Sequence, residues 1–81
     1  MTQHFYWTAD GYPSCRAMNS ILRRIHESGR MPEMAHSGDA HLVTQCGHET
    51  RESAERSVEA LRKYLPDVRC EVIEGECPAY V

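Results

Sequence analysis

The stretch Cys46-Gly47-His48 sets a thiol and an imidazole two residues apart, just ahead of a helix start at Thr50 or Glu49. Two chemistries use that pairing. Structural zinc takes four nitrogen or sulfur ligands, and Cys70 and Cys77 would complete a set with Cys46 and His48. A redox-active domain would draw on the same residues. A nucleophilic cysteine needs a neighbouring base or a positive helix end. Cys15 has the second: it falls in the first turn of a helix opened by Pro13, beside Arg16. Cys46 and His48 precede the next long helix, and the two helix starts are expected on one edge of a sheet.

Plainer roles compete with each chemistry. No Cys-x2-Cys pair occurs, and the spacing from Cys70 to Cys77 is not that of a zinc knuckle. No Asp or Asn is placed to orient a base. The expectation is therefore no metal, no cofactor and no catalytic residue, with Cys46 and Cys70 as small core residues of two strands. A zinc-binding or redox-active domain built on Cys46, His48, Cys70 and Cys77 is the alternative.

The elements that must position these groups follow from periodicity. Residues 3–9 are aromatic and β-prone and end at a turn signal, Asp10-Gly11-Tyr12-Pro13. Pro13 suits a first helical turn. Met18, Ile21, Leu22 and Ile25 then repeat at helical spacing, and Gly29 caps the end. Residues 31–36 read as a weak edge strand, because Pro32 cannot donate to a ladder. Ser37-Gly38-Asp39 is a turn signal, and residues 40–46 read as a second short strand. Ala54, Val58, Leu61 and Leu65 form the clearest helical stripe, closed by Pro66. Val68, Cys70 and Val72 alternate as a last strand. The order strand, helix, strand, strand, helix, strand predicts a two-layer ferredoxin-like α+β sandwich (βαββαβ). It has a four-stranded antiparallel sheet with two helices on one face. A three-stranded α+β fold is the runner-up.

At 81 residues the chain is one domain, 1–81, with 41% hydrophobic and 26% charged residues. A net charge of −3 argues against direct binding to nucleic acid or to an anionic membrane. Phe5, Tyr6 and Trp7 lack the basic support and the second aromatic strand of an RNA-binding sheet. The loop before the first helix has a single Cys, where copper chaperones of this fold carry two, and too little glycine for an acylphosphatase cradle. The polar start, Met1 to Gly11, has no signal-peptide pattern, no stretch is long and apolar enough for the membrane, and a cytoplasmic location with unpaired thiols is expected.

What remains is surface. Interface-prone residues fall outside the helical stripes at Trp7, Tyr12, Met31, Met34 and Tyr80. From Glu71 to Val81 there are three acids and no base. The expected partner-binding set is Tyr6, Trp7, Tyr12, Val43, Glu71, Ile73, Glu74 and Glu76, on an open sheet face with an acidic rim. The expected function is non-enzymatic: a small inhibitor or modulator of a host or partner protein. Such proteins are common among phage and mobile-element anti-defence products, anti-CRISPR proteins included. The partner would be another protein, such as a nucleic-acid-binding complex whose basic groove meets the acids. Homodimerisation through the sheet is one form of this binding.

Overall fold

The computed structural model describes residues 4–78. Strand β1 (Phe5–Ala9) is the axis of the molecule. Side chains alternate along a strand, so Phe5, Trp7 and Ala9 share one face. That face meets the helices, and Trp7 and Ala9 are buried. On one flank β1 pairs antiparallel with β4 (Cys70–Glu74), from Phe5 opposite Glu74 to Ala9 opposite Cys70. Two short strands share the other flank. Strand β2 (Tyr12–Pro13) pairs with Thr8 and Ala9, and β3 (Gly47–His48) pairs with Phe5 and Tyr6.

Asp10 and Gly11 join β1 to β2 at φ 52° and 86°. Two consecutive positive φ values are what a tight hairpin turn needs, and Asp-Gly is the pair that tolerates them. The Asp10 carboxylate is also held from outside: it accepts the Arg69 N–H at 3.0 Å and faces Arg24 at 3.3 Å. Chiefly through that backbone bond its carboxyl lies below the ordinary range.

Helix α1 (Ser14–Glu27) buries Ala17, Ile21 and Ile25 on the sheet. Pro13 stands at the N-cap in extended geometry, so the helix begins one residue later than the sequence suggests. Helix α4 (Arg51–Tyr64) matches expectation closely. Thr50 caps it by accepting the Ser53 N–H at 3.1 Å, Glu52 and Arg62 complement its dipole, and Ala54, Val58 and Leu61 face the core.

The region between them departs from expectation. Residues 31–36 belong to helix α2 (Met31–Ser37), not to an edge strand. Residues 39–43 form helix α3 (Asp39–Val43), not most of a strand over 40–46; only Gly47 and His48 pair with β1. The physical signals were helical. Pro32 lies in the first turn with Glu33 beside it, and Gly38 in left-handed geometry (φ 86°) ends one helix and starts the next. The turn at residues 37–39 is real, but it joins two helices. Met34 and Val43 drop from these helices into a core that includes Trp7, Ile21, Ile25 and Leu61. The result is a mixed α+β fold: a four-stranded antiparallel open sheet with four helices, in place of the two-helix sandwich.

Candidate functional site

The two ends of Cys46-Gly47-His48 go separate ways. His48 is 1% exposed and bonded at both ring nitrogens. Nδ1 lies 2.7 Å from Ser53 Oγ, and Nε2 lies 3.1 Å from Ser57 Oγ. Ser57 donates its hydroxyl hydrogen to Leu42 O at 2.7 Å. A hydroxyl has one hydrogen, so Ser57 must accept from His48 Nε2–H, and Nδ1 must accept from Ser53. Burial pushes the imidazole below its usual range, which keeps it neutral. His48 thus ties β3 to α4 and, through Ser57, to the end of α3.

Cys70 is equally removed. It is buried opposite Ala9, whereas His48 lies opposite Phe5, four residues along β1, or about 13 Å. Burial pushes the Cys70 thiol up. The set Cys46, His48, Cys70 and Cys77 is therefore not assembled. Among the described residues no group of three or more His, Cys, Asp or Glu side chains is arranged to hold a metal ion.

Cys46 and Cys77 each come instead to Ser14 and Cys15. The shared flank explains it. Strands β2 and β3 approach from opposite ends of β1, so Ser14 and Cys46 arrive together opposite Trp7. Ser14, fully buried, donates to Cys46 O at 2.8 Å. Its oxygen also lies 3.4 Å from Cys77 Sγ, and the Cys15 N–H donates to that sulfur at 3.3 Å. The Cys15 thiol lies close enough to Cys46 and Cys77 to feel both. Desolvation first, and those two sulfurs second, push the Cys15 thiol far above its ordinary range. All three are half-buried. The expectation concerned the two helix starts; the structure brings Cys46 to the start of α1 through Ser14, whereas α4 starts at Arg51, past the far end of β3. The arrival of Cys77 has no local signal, being 62 residues from Cys15.

The partner-binding set also divides. Trp7 and Val43 are fully buried and cannot touch a partner. Trp7 spends its indole N–H on Gln45 O at 2.9 Å, and Val43 sits on a helix rather than on an open strand. Met34 is buried, Met31 half-buried, and Tyr80 lies outside the described residues. Tyr6 and Ile73 are half-buried cross-strand neighbours, while Glu71, Glu74 and Glu76 are exposed. Tyr12, 61% exposed, is the large hydrophobic side chain that stands in solvent among the described residues.

Tyr12 rims a groove of about 300 Å³ between the hairpin turn and α1. Ala9, Ala17 and Ile21 form its floor, and Asp10, Arg16 and Arg24 its remaining rim. Arg24 is paired with Asp10, whereas Arg16 has no ion pair among the described residues. The sequence offered Tyr12 as an interface residue but did not join it to Arg16.

Comparison with family models, with curated proteins and with solved structures gave no match. No helix among the described residues is long and apolar enough to cross a membrane.

Proposed function

We propose that this protein is a non-enzymatic recognition module that binds another protein through the Tyr12 groove. The observation that carries the reading is an exposed Tyr beside a cationic Arg16 over an apolar floor. Tyr and Arg are the side chains that most often dominate binding energy, and an apolar pocket gives an anchor something to fill. The groove suits an apolar side chain of the partner with a carboxylate beside it. Glu71, Glu74 and Glu76 form a second, acidic surface that would speed the approach of a basic partner. Inhibition or modulation of that partner by occlusion, in the cytoplasm, is part of the proposal.

The test is selection of peptides from a random library against the folded protein. Enriched peptides should combine an acid with a bulky apolar residue. Tyr12→Ala should weaken their binding about 30-fold, the scale of a hot-spot residue, and Arg16→Ala by a smaller factor. Binding that ignores both substitutions, or no enrichment from the library, would remove the proposal.

A further inference from the structure

The sulfur cluster has features that a structural role does not require. Cys77 Sγ takes the place of a helix cap. Pro13 offers α1 no side-chain cap, the first turn has no acid, and the Cys15 N–H points at Cys77 instead. The start of a 14-residue helix is a positive end, and Arg16 adds a charge one residue on. Backbone N–H and helix end are the partners that favour a thiolate over a thiol. The cluster is also reachable, since Cys15, Cys46 and Cys77 are each part-exposed, unlike buried Cys70.

We propose that Cys77 and Cys15 form a thiol–disulfide exchange site whose substrate is a small-molecule disulfide. Cys77 is the attacking sulfur and Cys15 the resolving one. The Cys77 thiol gives its proton to solvent, and its sulfur attacks R–S–S–R. A Cys77–S–S–R bond forms, the R–S–S–R bond breaks, and R–S⁻ departs and takes a proton from water. Cys15 then attacks the Cys77 sulfur. A Cys15–Cys77 disulfide forms, the second R–S leaves, and the Cys15 proton goes with it. Two thiols lose two electrons and two protons, and one disulfide becomes two thiols. The resolving step has a short path, because the Cys15 backbone N–H already contacts the Cys77 sulfur at 3.3 Å. The inference does not rest on the Tyr12 groove.

The experiment uses the full reduced chain with oxidised glutathione at neutral pH, read by intact mass and peptide mapping. The expected product has lost two hydrogens and carries a Cys15–Cys77 link. Cys15→Ser should trap a glutathione adduct on Cys77, and Cys77→Ser should abolish the link. In the wild-type chain iodoacetamide should modify Cys77 at least about tenfold faster than Cys70. The linked form closes most of the chain into one loop, so its Tm should rise by on the order of 10 °C or more. A Cys46–Cys77 link, unchanged thiols, or equal labelling of Cys77 and Cys70 would overturn the proposal. The mapping and labelling arms use the unaltered protein, so they stand even if a variant fails to fold.

Discussion

Cys46 and His48 are two residues apart, yet they serve opposite kinds of site. His48 is sealed, and each ring nitrogen has a serine partner. Cys46 belongs to a cluster of three part-exposed sulfurs around Ser14, held by a hydroxyl bond to the Cys46 carbonyl and by long contacts to the Cys77 sulfur. The difference comes from what covers each. His48 lies under α4, whose Ser53 and Ser57 supply the bonds, whereas Cys46 lies at the gap where β2 and β3 meet. A polar group that is buried and fully bonded specifies a fold; one that is half-buried and loosely bonded remains available for chemistry.

The largest effect that would sharpen this contrast is at His48. His48→Ala should cost about 3 kcal/mol in urea unfolding, because it leaves a void and removes the partner of Ser53 and Ser57. The native imidazole is held neutral by burial, so its folded pKa lies below the ordinary 6.5. Protons then bind the unfolded chain first. The contribution should be complete above about pH 6.5 and fall as the pH drops, by up to about 1.4 kcal/mol per unit. His48→Gln should flatten that part of the pH profile.

Next in size is the polar link between α3 and α4. Asp39 accepts from Tyr64 Oη at 2.6 Å, from Lys63 Nζ at 3.0 Å and from Ser37 Oγ at 2.9 Å. Those bonds, that of Tyr64 foremost, push its carboxyl down to about 2 from 3.8. Its stabilisation is present above about pH 4 and lost as the pH falls through about 2. Asp39→Asn should cost on the order of 1 kcal/mol at neutral pH, allowing for solvent screening, and remove this acid sensitivity.

Smaller again is Cys77→Ser, which should change equilibrium stability by less than about 1 kcal/mol under reducing conditions, although it abolishes exchange. If it cost as much as His48→Ala, the cluster would be a structural node and the contrast would fail. The smallest effect on stability belongs to Glu71→Lys, Glu74→Lys and Glu76→Lys together. Unfolding should be nearly unchanged, while association with a basic partner should slow at low salt.

Legibility in the sequence followed the range of the interaction. Helix α4 carries its own cap at Thr50, its stop at Pro66 and a stripe over several turns, so its limits could be read directly. Helices α2 and α3 have seven and five residues, too few to display a helical period. What holds them is the burial of Met34 and Val43, which depends on elements far along the chain. Pro32 and Gly38 were present as signals, but each also fits a strand edge or a hairpin turn. For the same reason Trp7 could not be assigned to a face, since β1 is apolar on both sides until Gln45 claims its indole. The sulfur cluster lay furthest from view: Cys77 reaches Cys15 because the chain leaves β4 at Gly75, bonded to His4 O, and crosses to the other flank of β1.

The pairing of β1 with β4 has a consequence for synthesis. Among the described residues, strand β1 finds its longest ladder only in the much later β4, Phe5 against Glu74 and Ala9 against Cys70. Until residue 74 clears the ribosome, one flank of β1 has no partner and Val72 is missing from the packing around Trp7. The nascent chain therefore has to wait with its apolar strand exposed, and a chain released at Pro66 should remain unfolded however well α4 has formed.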